Sequence, residues 1–347
     1  MPVTEKRMDE KVCGSCQKVF KRDEDFLNNT SQWRVCSSEN LWFNCSCGST
    51  LMLPKGRFPW YSPTLGMSKS AASIFNKMAE NKDLPHIPSA VLEIQRLLLD
   101  TEVETSALVI TLKKDPLLAT EVLRVFENLR KIRQGAFSKE PSLEHAINFI
   151  GRKHLGNLVM AASIKKFAIP TKLFKQEIFW EQAFKAAAVA ELLCAEFGPA
   201  ADKDSAYLVG SLCNIGKIVS ALYYPERTDQ VMKITGNVNT QCTWQEAEAQ
   251  ANLPSHCILG EIGAAFWGLT PFVIDAIKHH HEPKEAEGSA VNGRLCHIAC
   301  LANIVGHWLN LEPHRINQKE LNEELQYFGI NRTELDAIVG RYQQILA

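Results

Sequence analysis

Apolar residues recur with a helical period along most of this chain, and this feature constrains its fold more than any other. From Ser68 onward they fall at spacings of three and four residues, whereas strand-like alternation is nearly absent after Leu53. Leu108, Ile110 and Leu112 are interpreted as one such buried stripe. The pattern predicts a mainly α body with one core, an all-helical domain preceded by a small β-rich module.

Capping residues indicate where several of these helices begin. Asp115 followed by Pro116 is typical of an N-cap with proline in the first turn, and Ser142 is expected to open another helix. After a break at Gly329, Asn331 predicts the start of the last helix. Other stretches with a helical pattern are Phe179–Phe197, Ala206–Leu222, His256–Trp267, Thr270–His281 and Cys296–Leu309.

Changes in composition divide the chain into four parts. Residues 57–66 mix two prolines and a glycine with no periodicity, which predicts a linker. We expect a zinc-ribbon-like module over residues 1–60, a linker and first helix over 61–79, a helical domain over 80–310 and a helical extension over 311–347. The extension contains two short amphipathic segments, which are predicted to complete the core, with a homodimer face as the alternative.

The charge balance argues against partners that need a strong field. The 347 residues include 38 Lys and Arg against 39 Asp and Glu, so the net charge is −1. No global basic field would attract nucleic acid or an anionic membrane. Apolar runs such as Ala186–Cys194 are short, and no membrane-spanning helix is expected. The polar N-terminus lacks the apolar segment of a secretion signal, which predicts a cytoplasmic protein.

Five of the eleven cysteines lie within the first fifty residues. A C-x2-C pair and a C-x-C pair, about thirty residues apart, predict a structural zinc site. Four thiolates would leave no open position for water or substrate. The fifth thiol, Cys36, can replace one of the others, and five reduced thiols without metal are the alternative. The predicted zinc ligands are Cys13, Cys16, Cys45 and Cys47.

Two short strands, Gln32–Val35 and Leu41–Asn44, are expected between these cysteine pairs. Tryptophans in the same region, Trp33, Trp42 and Trp60, could stack on bases. Residues 1–60 hold nine Lys and Arg against seven Asp and Glu, which is not a basic patch. Nucleic-acid binding through the ribbon is therefore kept only as an alternative. The remaining cysteines are predicted to be small buried apolar residues, namely Cys194, Cys213, Cys242, Cys257, Cys296 and Cys300.

Motifs in both halves of the helical part resemble the HDOD domain. The first half carries Leu84-Pro-His-Ile-Pro88, Lys114-Asp-Pro-Leu-Leu118 and Ser142-Leu-Glu-His-Ala-Ile147. The second half carries Phe179-Trp180-Glu-Gln182, Leu208-Val-Gly-Ser-Leu-Cys213-Asn214-Ile-Gly-Lys217 and His280-His281-Glu-Pro283. The resemblance covers residues 80–310. It implies a helical relative of the HD phosphohydrolases, in a bacterial signalling family generally regarded as non-enzymatic and often found near cyclic-di-GMP and two-component pathways.

The resemblance also implies where a hydrolase metal site would lie, and this chain departs from that pattern. HD hydrolases hold metal with a His, an adjacent His-Asp pair and a later Asp. The matching positions here are Gln182, Cys213 and Asn214, and a neutral amide cannot replace the charge of a carboxylate. The chain is therefore not expected to be an enzyme. A vestigial pocket, either filled or open to a small ligand, is expected from Gln182, Cys213, Asn214, His256, His280 and His281.

Three functional hypotheses follow. The first is a non-enzymatic signalling adaptor that binds other signalling proteins, with a degenerate pocket for a small ligand. The second is a divergent metal-dependent phosphohydrolase rebuilt from Cys213, His256 and either His280 or His281. His279, His280 and His281 are not all expected to bind one metal, because adjacent helical residues point about 100° apart. His280 or His281 could still face His256. The third is a nucleic-acid adaptor that works through the ribbon.

Overall fold

A computed structural model describes most of the chain. The described residues are 7–13, 16–22, 30–35, 40–45, 50–54, 69–80, 88–98, 103–132, 142–198, 203–237, 242–267, 269, 271–286, 293–309 and 316–346.

Residues 7–54 contribute five short strands in two antiparallel sheets. Strand β1 (Arg7–Val12) pairs with β2 (Val19–Arg22). The second sheet contains β3 (Thr30–Val35), β4 (Asn40–Cys45) and β5 (Thr50–Pro54) in that order. The backbone segments expected to be strands lie within β3 and β4. The zinc-ribbon-like module itself stays a prediction, because one of its four proposed ligands, Cys47, and the alternative ligand Cys36 lie outside the described residues.

The rest of the described chain is helical, as the apolar period predicts. The first eight helices are α1 (Lys69–Glu80), α2 (Ser89–Leu98), α3 (Thr105–Lys113), α4 (Pro116–Ile132), α5 (Leu143–Ile150), α6 (Arg152–Ile164), α7 (Gln176–Phe197) and α8 (Lys203–Leu212). The others are α9 (Gly216–Tyr223), α10 (Pro225–Thr235), α11 (Trp244–Gln250), α12 (His256–Trp267), α13 (Pro271–His279), α14 (Gly293–Leu309), α15 (Gln318–Phe328) and α16 (Arg332–Leu346). A 3-10 turn (Pro283–Ala286) separates α13 from α14.

Packing between these helices builds one continuous apolar core. Helix α7 is buried along much of its length and packs against α8 and α14. The same core contains Phe75 of α1 and, from the two last helices, Leu321, Leu335 and Tyr342. The C-terminal helices therefore contribute to the core, because their apolar faces are buried against the rest of the domain.

Side chains cap the helices at the positions that the sequence indicates. The Asp115 carboxylate accepts a hydrogen bond from the Leu118 amide at 3.2 Å, just before α4. The Ser142 hydroxyl accepts one from the His145 amide at 3.1 Å at the start of α5. The Asn331 side chain accepts one from the Glu334 amide at 3.1 Å at the start of α16. These three predicted starts are confirmed.

Two expectations for the helical part are wrong. The stretch Ala206–Leu222 is not one helix, because α8 ends at Leu212 and α9 begins only at Gly216. Ile110 does not share a buried stripe with Leu108 and Leu112, since its side chain is 62% exposed. Residues two apart on a helix point about 200° apart, so all three cannot face the core.

By length and composition alone, the segment Ser205–Tyr223 is apolar enough to cross a membrane. However, 89% of its most apolar window is buried inside the helical body. Burial of this kind is what the core of a globular domain requires, so the segment packs as core here.

Candidate functional site

A cavity of about 210 Å³ lies between α7, α8, α11 and α14. Apolar side chains, including Phe174, Phe179 and Trp244, form much of its wall. The polar groups along it include three side-chain amides and three basic groups, contributed by Gln182, Asn214, Asn303, Lys175, Lys217 and His307.

Two of these amides form a direct pair. The Asn214 Nδ2 donates to Asn303 Oδ1 at 2.7 Å. The other polar atom of Asn214, Oδ1, is buried and has no hydrogen-bond partner within the described chain. A buried carbonyl oxygen without a donor is costly, so this atom is a position for a donor from a bound molecule or water. Asn303 is not among the site residues predicted from the sequence. The feature that marks it there is a single amide within the apolar run of α14.

A lysine brings positive charge to the same cavity. Lys217 is buried, and its Nζ lies 4.6 Å from the centre of the Trp244 ring, a cation–π arrangement. His307 adds another basic group along the wall. Neutral amides beside an ammonium group do not suit a hard divalent cation, which prefers carboxylates. They suit a ligand with hydrogen-bond donors and an anionic group.

The six residues predicted as one vestigial pocket do not form one pocket. Gln182 and Asn214 line the cavity. Cys213 is completely buried, with its Sγ 3.6 Å from the Gly210 carbonyl oxygen. Burial raises the pKa of its thiol to about 12, and its complete burial agrees with the prediction of a small buried apolar residue. The three predicted histidines gather at a separate cluster.

This His/Cys cluster comprises His256, Cys257, His280 and His281, whose ligand atoms all lie within 4.8 Å of one another. His256 and Cys257 begin α12, and the other two follow the end of α13. The Nε2 atom of His256 lies 3.3 Å from Nε2 of His280 and 3.3 Å from Nε2 of His281. The Sγ atom of Cys257 lies 3.9 Å from the same His256 Nε2.

Two expectations about this region are wrong. The helix predicted over Thr270–His281 ends at His279, and His280 and His281 lie in the turn that follows, where both face His256. Cys257 is not an inert core thiol, since it is partly exposed and belongs to the cluster. His279 points elsewhere, with its Nδ1 3.6 Å from a Glu285 carboxylate oxygen.

Each histidine of the cluster is oriented through its Nδ1 atom. The His256 Nδ1 lies 3.0 Å from a Glu248 carboxylate oxygen, and the His280 Nδ1 lies 2.8 Å from the Ile277 carbonyl oxygen. The His281 Nδ1 lies 3.4 Å from a Glu320 carboxylate oxygen. An acceptor at Nδ1 favours a proton there, so in the neutral imidazole Nε2 is the atom with the lone pair.

Glu248 is held in place by neighbouring donors. Its Oε1 accepts hydrogen bonds from Trp244 Nε1 and from the His256 backbone amide, both at 2.9 Å. Helix α11 starts with a capping box in which Thr243 and Glu246 satisfy each other's backbone amides. The local sequence therefore fixes both Trp244 of the cavity and Glu248 of the cluster.

Burial and neighbouring charges perturb the titration of the cluster strongly. Burial lowers the pKa of the His256 imidazole, but Glu248 and Cys257 together outweigh it and raise the pKa to about 9. Burial raises the pKa of the Cys257 thiol, yet His256 and His280 outweigh it and lower the pKa to about 5. Burial lowers the pKa of His280 to about 4. The cluster thus favours a thiolate, which is the form of cysteine that binds metals.

The chemistry of this donor set fits a transition metal. Three imidazole nitrogens and one thiolate match the ligands of zinc and related ions, whereas magnesium and calcium require oxygen ligands. A small cavity lined by Lys217, Asn303, His281 and Glu320 lies between the cluster and the amide-lined cavity. The two groups of residues are therefore neighbours in the same part of the domain.

Near the N-terminus, the structure describes only part of the predicted zinc site. Cys13 is buried and Cys16 is exposed. The Gln17 backbone amide donates to the Cys13 carbonyl oxygen at 2.9 Å, and Gln17 has a φ of 58°, so the chain turns tightly here. Cys45 ends β4, with its side chain outside the described part.

Comparison with known proteins places the fold. The chain is 28% identical over 225 residues to an uncharacterized protein of Treponema pallidum (strain Nichols), which covers 62% of this chain. The match spans 40% of the length of that relative. A candidate phosphohydrolase from Shewanella amazonensis SB2B has a similar structure, with a TM-score of 0.57 and 19% identity, covering 80% of this chain and 94% of that one.

A candidate signal transduction protein from Marinobacter aquaeolei VT8 superimposes with a TM-score of 0.54 and 18% identity, covering 90% of this chain and 76% of that one. The family model of the HDOD domain matches residues 84–283, which is more than half of the chain. The chain belongs to the HDOD domain family.

Proposed function

We propose that this chain is a non-enzymatic component of bacterial signalling that works through contacts of its HDOD domain with other signalling proteins. Its membership of the HDOD family supports a regulatory role. One structural neighbour is described as a candidate signal transduction protein, which is consistent with this role. The proposal rests mainly on the chemistry of the amide-lined cavity.

The observation that carries the proposal is the amide pair of Asn214 and Asn303, joined at 2.7 Å. A metal-dependent hydrolase needs carboxylate or imidazole ligands that lower the pKa of a bound water. At this position the chain has amides, with the Lys217 ammonium along the same wall. The positive charge of Lys217 repels a cation, and neutral amides are weak metal ligands. Metal-dependent hydrolysis at this cavity is therefore not supported.

The same cavity suits a small ligand. Asn214 Oδ1 can accept a hydrogen bond, Trp244 and Phe179 provide aromatic surface, and Lys217 can attract an anionic group. A volume of about 210 Å³ is below the roughly 300–1,000 Å³ of typical ligand pockets. It would hold a single small heterocycle, whereas a cyclic dinucleotide is too large. A link to cyclic-di-GMP pathways would therefore run through a partner protein.

A hydrolysis assay tests this function directly. The purified chain should show no turnover of p-nitrophenyl phosphate, bis-p-nitrophenyl phosphate or cyclic-di-GMP above the buffer blank, with magnesium, manganese or iron(II) supplied. The Asn214→Asp variant, which introduces a carboxylate at the cavity, is the matched comparison for metal-dependent activity. Turnover by the unmodified chain that scales with enzyme concentration would contradict the proposal.

A divergent metal-dependent phosphohydrolase is the second candidate function. The His/Cys cluster favours it, together with the description of a structural neighbour as a candidate phosphohydrolase. This function needs an open coordination position that substrate can reach. Turnover in the assay that disappears in the His256→Ala variant would support the second candidate in place of the first.

For the N-terminal region we propose a structural zinc ion held by Cys13, Cys16, Cys45 and Cys47. Cys13 and Cys16 flank a tight turn, which is consistent with a C-x2-C metal loop. A closed thiolate site would stabilise a segment that is too small for a large apolar core. Loss of one zinc per chain in the Cys13→Ser/Cys16→Ser variant tests this site.

A further inference from the structure

The Nε2 atoms of His280 and His281 both lie against Nε2 of His256 in the His/Cys cluster. His256, His280 and His281 each have an oxygen acceptor beside Nδ1, namely Glu248, Ile277 and Glu320. With protons at these Nδ1 atoms, the Nε2 of His256 meets two acceptors at once, at 3.3 Å from each. Facing lone pairs repel each other unless a positive charge lies between them.

A single proton does not relieve this repulsion at both contacts. One proton on His256 Nε2 can be donated well to only one of two partners, His280 or His281, and the other lone pair remains unsatisfied. His256 and His280 are completely buried, so water cannot readily satisfy it. A metal cation accepts all three lone pairs at once.

The spacing of the donor atoms matches tetrahedral coordination. Zinc–nitrogen bonds of about 2.0–2.1 Å at a tetrahedral angle place two nitrogens about 3.3 Å apart. Both Nε2 to Nε2 distances from His256 are 3.3 Å. For a bond of about 2.3 Å to sulfur, the corresponding nitrogen-to-sulfur distance is about 3.6 Å. The Cys257 Sγ lies 3.9 Å from His256 Nε2 and 4.0 Å from His280 Nδ1, so it must move towards the Nε2 atoms for all four ligands to bind one ion.

We propose that His256, Cys257, His280 and His281 form a closed, four-coordinate zinc site, with Glu248 and Glu320 orienting two of the histidines. Nitrogen and thiolate ligands select zinc(II) over magnesium and calcium. The site uses Cys257, a ligand absent from the rebuilt site expected from the sequence. This inference is independent of the proposed signalling function, since a closed site performs no hydrolysis.

Such a site would join distant parts of the chain. Its ligands come from the start of α12 and the turn after α13, while Glu248 lies on α11 and Glu320 on α15. Binding of zinc would therefore tighten α11, which also forms part of the amide-lined cavity through Trp244. The C-terminal helix α15 would be held against the HDOD domain through the His281–Glu320 contact.

Cobalt(II) substitution gives a direct test on the full chain. The Cys13→Ser/Cys16→Ser background removes the predicted ribbon site, so that the metal measured in this variant is bound at the His/Cys cluster. We expect about one equivalent of zinc in this background by elemental analysis. After exchange with cobalt(II), the intense visible bands of a tetrahedral site and a thiolate-to-cobalt charge-transfer band should appear.

Matched variants identify the ligands. Cys257→Ser should abolish the charge-transfer band, whereas Cys213→Ser, the neighbouring buried thiol, should keep it. Glu248→Gln should keep the band but weaken zinc affinity about 10–100-fold, as measured by competition with a chelator. Circular dichroism of each variant confirms that the helical fold is retained, and the partly exposed His281→Gln is the substitute if Cys257→Ser does not fold.

Two outcomes would overturn the assignment. One is a folded background variant that binds neither zinc nor cobalt(II). The other is a charge-transfer band that persists in Cys257→Ser or is lost in Cys213→Ser, since the thiolate would then be a different one. Neither result would alter the outcome of the hydrolysis assay, so the zinc site and the signalling function can fail separately.

Discussion

Gly216 shows how one residue positions the His/Cys cluster. It begins α9 and faces the backbone of α12, where an added Cβ would overlap the His256 carbonyl and press on the Gly260 amide. Backbone atoms at this contact cannot move aside as the end of a flexible side chain could. Gly216 therefore allows the close packing of α9 against α12.

The Gly216→Ala variant should lose roughly 1–3 kcal/mol of unfolding free energy, because overpacking forces α9 away from α12. Urea unfolding measures this loss. Gly340→Ala is the matched control, since no atom lies within 4 Å of its added Cβ and alanine favours a helix. Equal midpoints for Gly216→Ala and the unmodified chain would show that the contact is not tight.

At the scale of secondary-structure elements, the boundaries of helices decide what the sites contain. The break between α8 and α9 places Asn214 at the cavity instead of on a continuous helix. The end of α13 at His279 lets both following histidines reach His256. Helix α11 has only seven residues, so it depends on its capping box and on tertiary contacts.

Thr243→Ala should destabilise the protein by about 0.5–2 kcal/mol through loss of the α11 cap. Because α11 carries Trp244 and Glu248, we also expect faster hydrogen exchange over residues 244–250. Exchange measured by mass spectrometry reports this local opening. The matched cap variant Ser142→Ala should lose similar stability but speed exchange at α5. Unchanged exchange at α11 in Thr243→Ala would refute the dependence on this cap.

At the scale of the whole molecule, ion pairs connect helices that are distant in sequence. Lys165 donates to Glu121 at 2.7 Å, which links the end of α6 to α4. Burial raises the pKa of Glu121, but hydrogen bonds from Lys165 and Arg124 outweigh it and the pKa is lowered from 4.5. A carboxylate whose pKa is lower in the folded protein than in the unfolded chain stabilises the fold at pH values above its unfolded pKa. This contribution is lost as the pH falls towards the folded pKa.

The free energy of unfolding should therefore decrease as the pH falls below 4.5, where Glu121 becomes protonated in the unfolded chain first. The Glu121→Gln variant should be less stable at neutral pH and show a shallower decrease over the same interval. Urea titrations at a series of pH values give both slopes. Glu144→Gln, at an exposed position on α5, should follow the unmodified chain. A Glu121→Gln profile that matches the unmodified slope would exclude this pair as a source of acid sensitivity.

Sequence patterns predict the elements of this protein better than its sites. Asp115, Ser142 and Asn331 cap helices as expected, because capping depends on hydrogen bonds within a few residues. The apolar period predicts a helix up to His281, whereas the helix ends at His279, so the turn that brings both following histidines to His256 is not apparent from the sequence. Cys257 was overlooked because a single cysteine in an apolar run has no local signal for its partners.

The sequence by itself determined the mainly helical class, the HDOD resemblance and the replacement of hydrolase ligands by Gln182, Cys213 and Asn214. These features depend on residue identity and on spacing along the chain. Only the tertiary structure decided that Asn214 meets Asn303 and that Cys257 joins three histidines. Asn214 and Asn303 are 89 positions apart, and Cys257 and His280 are 23 apart. These contacts form only when packing of the apolar core brings separate helices together. Local sequence patterns do not indicate which distant residues will meet.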